Sequence, residues 1–409
     1  MRTFISFEDA LNMVLASGTK AEAEHISLSM ALGRTLSEPI VSLQNLPPFA
    51  SSAMDGFAVI ASDLAKEGAV LNVVEHIQAG DIPQRAIKPG TCAKIMTGAL
   101  FPEGADSVAP VEWVLSERGN HVSFSRAPQS GQHVRPAAED VREGDTIFVG
   151  GEVITPPVTG MLASLGVDPV PVVRCPRVAV ISTGDEIVPP HVQPGPAQIR
   201  DSNGPALRSQ VLAAGGDCDR YEHAADDPAA IRLVIEENKS ADILIFSGGV
   251  SMGDHDYVKS VLVDMGGEML FWKVRQRPGK PLAFGKIGST VFLGLPGNPV
   301  SSAMCFAIYA RPLIHKMLGR ERVGGQKVSA ILQHDVKKVA DLHHFSRGVA
   351  TVGEDGTIGV SEAGSQGSNL FSSVVRANCI IHLPSGEAMA REGSRVTIEL
   401  LPWANLQGH

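Results

Sequence analysis

Residues 177–186 have the sequence RVAVISTGDE, in which an apolar strand pattern runs directly into a loop with one glycine and two acids. Two later segments, ADILIFSGGV (241–250) and STVFLGLPGN (289–298), also pass from an apolar strand into a glycine-rich loop. Amphipathic helical patterns separate the strands, and this alternation is typical of a doubly wound, mostly parallel sheet. We therefore predict that residues 175–322 form an α/β domain.

Capping residues and apolar spacing predict the helices. In the segment AADDP, Asp226 or Asp227 is expected to cap a helix whose first turn contains Pro228. At the N-terminus, apolar residues recur at helical spacing through residues 5–40, and Ser6 is a candidate N-cap. The other predicted elements are helices at 158–165, 207–214, 300–317 and from 257 onward, and a strand at 269–274.

The rest of the chain has different patterns. Residues 1–46 and 137–174 predict a mixed, partly helical N-terminal domain formed by two chain segments. Residues 47–136 contain short strand patterns between Gly, Pro and Asp turns and predict an inserted β-rich domain. Residues 323–409 predict a small C-terminal β-barrel. The expected fold class is multi-domain, α/β plus β.

The composition limits the classes of function. The chain has 409 residues, which suggests about two to four domains. Its net charge is −9, it has no run of Lys and Arg, and aromatic residues make up 5%, so no nucleic-acid partner is expected. The N-terminus resembles an amphipathic helix more than a signal peptide, and no apolar run approaches the roughly 20 residues that span a bilayer. We expect a cytoplasmic protein without a membrane partner.

Cysteine and histidine form no disulfide or metal-binding pattern. The five cysteines are far apart, odd in number and without a CxxC motif, so we expect buried or half-buried thiols. The thirteen histidines show no HxH or HExxH spacing. His343 and His344 are expected to be a surface pair, and no metal site is assigned to them.

The loops that follow the strands are where a ligand is expected, because open α/β sheets bind ligands at the carboxyl ends of their strands. Glycines and helix N-termini at this edge favour an anionic ligand. Four acids gather in the same loops: Glu186, Asp226, Asp254 and Asp256. Acids beside an anion suggest an intervening Mg²⁺, which commonly binds carboxylates together with substrate phosphates. The alternative is that these acids are helix caps and solvated turns.

The segment RPGKP (277–281) places Arg277 and Lys280 on a loop stiffened by prolines, which suits a tetrahedral oxyanion. The alternative is an ordinary solvated basic turn. Lys280 is followed by Pro281, and the chain has no GxxxxGK[ST] motif, which argues against a Walker-type NTPase. No GxGxxG follows the first strand of the α/β domain, which argues against a dinucleotide-dependent dehydrogenase.

Seven motifs resemble, in content and in order, those of the molybdopterin molybdenumtransferases, a family that includes the E domain of gephyrin-type proteins. They are SSAMDGFAV (51–59), MTGA (96–99), STGDEI (182–187), DSN (201–203), SGGVSMGDHDYV (247–258), RPGKPLAFG (277–285) and LGLPGNPVSS (293–302). The resemblance covers nearly the whole chain. It implies four domains, an elongated homodimer with its site at the interface, and insertion of molybdate into adenylylated molybdopterin with release of AMP, dependent on Mg²⁺.

The resemblance also implies roles for individual residues. The functional acids are Asp55, Glu186, Asp226 and Asp256, of which Asp226 and Asp256 would hold the cation. The residues of the substrate pocket are Thr97, Asp140, Ser251, Arg277, Lys280, Pro296, Asn298, Pro299, Arg347 and Ser368. Within this set the molybdate site comprises Ser251, Arg277, Lys280, Arg347 and Ser368. Arg277 stands where the family more usually has lysine, so the geometry offered to an oxyanion differs.

Two other readings remain open at this stage. One is a molybdopterin adenylyltransferase-like enzyme, although such enzymes are much shorter and lack the extra β domains. The other is a non-catalytic dimeric scaffold like the gephyrin E domain. If the chain is the molybdenumtransferase, its partners would include molybdopterin adenylyltransferase and downstream proteins that accept the cofactor.

Overall fold

The computed structural model of the chain describes residues 1–66, 68–250 and 257–406. The elements up to residue 174 are β1 (Arg2–Ile5), α1 (Phe7–Ala16), β2 (Ala23–Ile26), β3 (Ile40–Val41), β4 (Ser51–Ser52), β5 (Gly56–Val59), β6 (Val70–Ile77), β7 (Thr91–Ile95), β8 (Ser107–Pro110), β9 (Val114–Arg118), β10 (His121–Phe124), β11 (Val134–Arg135), β12 (Thr146–Phe148), α2 (Pro156–Ser164) and β13 (Val170–Val173). Short 3-10 turns lie at Leu28–Met30, Ala61–Leu64 and Val111–Trp113.

The elements of the central region are β14 (Val178–Thr183), β15 (Ile187–Val188), β16 (Ile199–Arg200), α3 (Asn203–Ala214), β17 (Tyr221–Ala224), α4 (Pro228–Glu237), β18 (Ile243–Ser247), α5 (Tyr257–Asp264), β19 (Glu268–Val274), β20 (Gln276–Arg277), β21 (Ala283–Ile287), β22 (Thr290–Leu295), α6 (Pro299–Cys305), a π-helical segment (Phe306–Ala310) and α7 (Arg311–Met317). The C-terminal elements are β23 (Lys327–Leu332), β24 (Val336–Lys337), β25 (His343–Val352), β26 (Ile358–Glu362), α8 (Ser372–Arg376), β27 (Cys379–Leu383), β28 (Met389–Ala390) and β29 (Arg395–Leu400).

A seven-stranded sheet forms the centre of the molecule, in the order β1-β19-β21-β22-β18-β14-β17. β17, β14, β18 and β22 pair in parallel, and β21 pairs antiparallel with both of its neighbours. The strands predicted from the apolar runs are confirmed as β14, β18, β19 and β22. β17 and β21 were not predicted, because their short or Gly-containing sequences lack a long apolar run.

Helices cover both faces of this sheet, which explains why β14, β18 and β22 are buried along their whole length. On one face α1, α3, α6 and α7 pack in a core with Val180, Ile245 and Leu293. On the other face α4 and α5 pack against Ile181 and Phe246. Successive strand residues point to opposite faces, so both cores draw on the same strands. The doubly wound α/β class is confirmed.

The N-terminal segment differs from the prediction, which placed all of residues 1–46 in the N-terminal domain. β1 instead pairs in parallel with β19, and α1 buries Ala10 and Val14 completely in the core of the central sheet. Ser6 is the N-cap of α1, as predicted, and its Oγ accepts the N–H of Asp9 at 3.1 Å. The helical spacing expected through residue 40 was wrong beyond α1, because β2 pairs with β13 and is followed by a 3-10 turn.

The two β-rich regions each form a six-stranded sheet. The inserted region has the order β8-β5-β7-β6-β10-β9. In the C-terminal region β25, β26, β23, β29 and β27 pair in succession, and β27 pairs again with β25, which closes the barrel predicted there. β20, from the central region, pairs with β25 through Arg277 and His344. This pairing attaches the barrel to residues 277–281, which we call the basic loop.

The two adjacent histidines were wrongly expected on the surface. His343 and His344 are buried, and the ring of His343 stacks on Phe345 with centroids 4.4 Å apart. Phe7 of α1 also packs against His343, with ring centroids 4.8 Å apart. Burial lowers the pKa of His343 to about 3, and burial together with the charge of Arg277 lowers the pKa of His344 to about 4. His344 is therefore neutral, and its Nε2 accepts the N–H of Val339 at 3.1 Å.

Two expectations from composition can be compared with the structure. All five cysteines are free thiols, four of them buried and Cys175 half-buried, as predicted. Within residues 1–66, 68–250 and 257–406, no helix is long and apolar enough to cross a lipid bilayer.

Candidate functional site

A cavity of about 600 Å³ opens where β14, β18 and β22 end, and we call it the strand-end cavity. Four of the residues predicted for the site line it: Glu186, Pro296, Asn298 and Pro299. Its other lining residues come from the ends of β14 and β18, the turn before α3, the basic loop and the C-terminal region; they include Ser182, Thr183, Asp201, Asn203, Ser247, Gly248, Gly249, Pro281 and Asn369. The glycine-rich loops identified in the sequence thus converge on one cavity.

Asn203 joins three of these segments, although the sequence reading did not assign it to the site. Its Nδ2 donates to the Oγ of Ser247 at 2.8 Å and to the carbonyl oxygen of Gly297 at 2.7 Å. The side chain therefore ties the start of α3 to the ends of β18 and β22. The DSN motif at 201–203 was the sequence signal for this role, but contacts between residues so far apart in the chain cannot be read from a motif.

Three buried polar atoms in the strand-end cavity lack a partner within the chain. They are the Oγ of Ser182, the Oγ1 of Thr183 and the Oδ2 of Asp201, and the partner is lacking among residues 1–66, 68–250 and 257–406. The other carboxylate oxygen of Asp201 accepts the N–H of Gly204 at 2.9 Å, which fixes the side chain. Buried polar groups are usually hydrogen-bonded, and leaving one without a partner costs roughly 1–3 kcal/mol. These atoms suit a ligand with hydrogen-bonding groups of its own.

A second, smaller cavity of about 270 Å³ lies beside the first, and we call it the basic cavity. Three predicted residues, Arg277, Lys280 and Ser368, line it together with Ser301 and Gln366. None of the described residues that line it carries a carboxylate. Two cations beside two hydroxyl groups match a small tetrahedral dianion. Ser301 and Gln366 were missed, since neither residue type stands out in a sequence.

The two cavities are direct neighbours, because three chain segments line both. Lys280 lies in the basic cavity and Pro281 in the strand-end cavity. Ser368 and Asn369 are divided in the same way. At the start of α6, Pro299 faces the strand-end cavity and Ser301 the basic cavity. A ligand that fills both spaces would place its two ends within reach of different chemistry.

The N-terminus of α6 adds positive potential between the cavities. Asn298 is the N-cap residue but its side chain makes no capping bond, and Pro299 occupies the first turn. The N–H of Val300 donates to the carbonyl oxygen of Ser368 at 3.2 Å. The amides of a helix N-terminus attract anions through their partial positive charge. This end of α6 therefore favours an anion in either cavity.

Arg347, predicted for the molybdate site, lies behind the loop that carries Ser368. Its side chain is buried, with 1% of the residue exposed, and it does not line the basic cavity. Nε donates to the Oγ of Ser373 at 3.1 Å, and Nη2 donates to the carbonyl oxygens of Ser365 and Gly367, both at 3.2 Å. Burial lowers the pKa of the guanidinium to about 10, so it stays charged at neutral pH. Arg347 thus holds the loop that presents Ser368.

Only one of the two adjacent acids that follow β17, Asp226 and Asp227, caps a helix. Asp227 is the N-cap of α4, and its Oδ2 accepts the N–H of Ala230 at 2.9 Å. Asp226 is half-buried, and its backbone N–H donates to the Oδ1 of Asp185 at 3.1 Å. Of the two residues predicted as possible caps of α4, Asp227 is therefore the one that caps it. Three further residues of the predicted site, Ser251, Asp254 and Asp256, lie outside the described residues.

A metal site cannot be assembled from the described residues alone. Within the described part of the chain, no group of three or more His, Cys, Asp or Glu residues is placed to hold a metal ion. The carboxylates of Asp185 and Asp226 do lie near the ends of the adjacent strands β14 and β17. Such oxygen donors are of the type that Mg²⁺ prefers.

Asp55, Thr97 and Asp140 lie away from both cavities. The Oδ1 of Asp55 accepts the backbone N–H of Thr97 at 2.7 Å and its Oγ1–H at 2.8 Å. These bonds lower the pKa of the Asp55 carboxyl, which is exposed. Asp140 is exposed in the loop before β12. All three lie among the described residues, and none lines either cavity of this chain.

Three family models match the chain along most of its length. One described as the MoeA N-terminal region (domain I and II) matches residues 5–166. One described as a probable molybdopterin binding domain matches residues 179–316. One described as the MoeA C-terminal region (domain IV) matches residues 329–401.

Curated relatives and solved structures are similar over nearly the full length. The chain is 37% identical over 391 residues to the molybdopterin molybdenumtransferase of Haemophilus influenzae, covering 95% of both proteins. It is 32% identical over 421 residues to that of Bacillus subtilis, covering 99% of this chain and 98% of the relative. The crystal structure of the molybdopterin biosynthesis MoeA protein from Pyrococcus horikoshii superposes with a TM-score of 0.83 at 31% identity, covering 97% of this chain and 99% of that one.

The two hydrogen bonds of Asn203 predict a defect in ligand binding when this side chain is removed. Asn203→Ala removes two hydrogen bonds that join the strand-end loops, so we expect AMP, as a probe of the strand-end cavity, to bind about tenfold more weakly. Isothermal titration calorimetry measures this affinity. Asn238→Ala is the matched control, because its amide bonds Glu222 and Val234 and it lines neither cavity. Equal AMP affinity for Asn203→Ala and the unmodified protein would show that the hydrogen bonds of Asn203 do not shape the strand-end cavity.

Proposed function

Because the chain belongs to the molybdopterin molybdenumtransferases, transferases of molybdenum-cofactor biosynthesis, we propose that it inserts molybdate into adenylylated molybdopterin and releases AMP. The strand-end cavity takes the adenylylated pterin, and the basic cavity takes molybdate. The observation that carries this assignment is that Lys280–Pro281, Pro299–Ser301 and Ser368–Asn369 line both spaces. The two substrates can then meet within one continuous site.

The strand-end cavity has the features that a nucleotide-linked pterin needs. Gly248 and Gly249 have φ values of 103° and 64°, a conformation that glycine adopts without strain and that lets the backbone approach a phosphate closely. The oxygens of Ser182, Thr183 and Asp201 that have no partner among the described residues are proposed to bond ring nitrogens and hydroxyls. The N-terminus of α6 supports the negative charge of the pyrophosphate.

The basic cavity supplies charge for molybdate, which is a tetrahedral dianion. Arg277 and Lys280 neutralise it, and the hydroxyl groups of Ser301 and Ser368 complete its hydrogen bonds. Arg347 contributes by fixing the carbonyls of Ser365 and Gly367, which precede Ser368 in the chain. Ser251 is proposed to join this site.

A Mg²⁺ ion fits the acids at the other side of the strand-end cavity. Asp226 and Asp256 are the proposed ligands. Asp185, whose Oδ1 accepts the N–H of Asp226 at 3.1 Å, and the adjacent Glu186 are proposed to share the ion or its waters. This all-oxygen donor set suits a hard cation. When bound, the ion neutralises phosphate charge and so lets acids and a pyrophosphate occupy the same edge of the sheet.

The chain's own residues bring the reactants together and hold their charge. With molybdate fixed between Arg277 and Lys280, the two dithiolene sulfurs bond to molybdenum and replace oxide ligands, which leave as water after protonation. Water cleaves the bond between the two phosphates, and AMP departs. Donors fixed before the reaction stabilise the negative charge that this cleavage develops.

The proposed reaction predicts a selective defect for Lys280→Ala. Purified protein is assayed with adenylylated molybdopterin, molybdate and MgCl₂ for release of AMP and formation of cofactor. Losing one charge-assisted bond should raise the KM for molybdate roughly 10- to 100-fold and leave the affinity for the adenylylated pterin unchanged. Lys239→Ala, an exposed lysine remote from both cavities, is the control. An unaltered KM for molybdate, or transfer of AMP from ATP to the pterin as the main reaction, would contradict the proposal.

We further propose that the working enzyme is a homodimer in which Asp55 and Thr97 of one copy complete the site of the other. Both residues lie apart from the cavities of their own chain, and the resemblance gives both a role in the site. The N-terminal region also exposes large apolar side chains: Met30 is 71% exposed, Leu32 63% and Leu43 85%. Exposed apolar groups that form one patch mark an interface between proteins, and we propose that this region is the subunit contact.

A shared site predicts that two inactive variants restore each other. Asp55→Ala and Lys280→Glu are expected to be inactive alone. Mixed dimers would contain one site with both defects and one intact site. The unsorted mixture should therefore return about a quarter of the normal rate of AMP release, and the isolated mixed dimer about half. Co-expression with two affinity tags isolates the mixed dimer. If Asp55 serves the site of its own chain, the mixture stays inactive.

A further inference from the structure

A buried amide lies directly beneath the basic loop. Gln276 is completely buried, and its Nε2 donates to the carbonyl oxygens of Pro278 at 3.2 Å and of Gly279 at 3.3 Å. The side chain thus binds the same loop that carries Arg277 and Lys280. Both carbonyl oxygens are thereby held by one fixed donor.

Tyr309 bonds this amide from the helix formed by α6, the π-helical segment and α7. Its hydroxyl group donates to the Oε1 of Gln276, and Tyr309 is fully buried as well. Tyr309 lies in the π-helical segment Phe306–Ala310, between α6 and α7. Such π-helical segments within α-helices often occur at functional sites because they redirect side chains. Here the segment supplies a hydroxyl group that donates to the oxygen of Gln276.

Gly279 brings the loop into close contact with the same helix. Its φ is 86°, and a Cβ added there would lie 2.2 Å from the Sγ of Cys305. Gly279 therefore lies directly on the thiol, with no room for a larger residue. Complete burial raises the pKa of Cys305 to about 12, so the thiol stays neutral and adds no charge beneath the loop.

We propose that Gln276 and Tyr309 are positioning residues that fix Arg277 and Lys280 at the spacing molybdate needs. The helix that carries Tyr309 also places Ser301 in the basic cavity. The same helix therefore positions both Ser301 and, through Tyr309 and Gln276, the basic loop. The role rests on the proposed function of the basic cavity as the molybdate site. Gln276 and Tyr309 do not line the strand-end cavity, so this role concerns the basic cavity alone.

The test compares molybdate binding with nucleotide binding in the full-length protein. Gln276→Met keeps the size of the side chain and removes its polar atoms, and Tyr309→Phe removes only the hydroxyl group. We expect the molybdate Kd and KM to rise about tenfold or more for Gln276→Met and about fivefold for Tyr309→Phe. The AMP affinity of the strand-end cavity should stay within twofold, and kcat at saturating molybdate should fall much less than kcat/KM.

A double-mutant cycle shows whether the two residues act as one unit. If Tyr309 works through Gln276, the double variant binds molybdate no more weakly than Gln276→Met alone. Leu332→Ala is the control for lost stability, because Leu332 is fully buried in the core of the C-terminal barrel and lines neither cavity. It should lower the melting temperature without changing the molybdate Kd. Tyr309→Phe keeps the test open if Gln276→Met does not fold.

Two outcomes separate this inference from the proposed function. Folded variants that bind molybdate as tightly as the unmodified protein would overturn the positioning role, whereas the proposed function would stand. If the unmodified protein binds molybdate no better than Lys280→Ala does, the basic cavity is not the molybdate site. In that case the proposed function fails first.

Discussion

The position of one helix end determines most of the site. β22 is buried on both faces and ends at Leu295, and the turn 296–298 directs the chain into a helix that continues to Met317. The first turn of this helix lies between the two cavities, and its Val300 amide is held by the C-terminal region through Ser368. Because the sheet fixes where β22 ends, it also fixes where the positive end of the helix meets an anion.

Charge is divided across this helix end. Acids gather where β14 and β17 end, and the two cations of the basic loop lie on the opposite side, near the barrel. One ligand carrying phosphates and one small oxyanion can therefore occupy neighbouring spaces without sharing the same counter-charges. The buried side chains of Arg347 and Gln276 hold the loops that create this division.

Local patterns in the sequence were sufficient for the fold class and for part of the site. Apolar runs followed by glycine predicted β14, β18 and β22, and their loops meet in the strand-end cavity because parallel strands end at one edge. The contributions of Asn203, Arg347 and Tyr309 were not predictable in the same way. Each depends on hydrogen bonds between residues distant in sequence, which no local spacing encodes. The pairing of β1 with β19 was missed for the same reason.

The most direct test of the two-cavity site is X-ray diffraction from crystals soaked with AMP and tungstate, a heavy analogue of molybdate, with data collected at the tungsten absorption edge. We predict an anomalous peak within hydrogen-bonding distance of Arg277, Lys280 and Ser368, together with nucleotide density in the strand-end cavity. A tungsten peak in the strand-end cavity, or no peak beside the basic loop at saturating tungstate, would contradict the assignment of the basic cavity to molybdate.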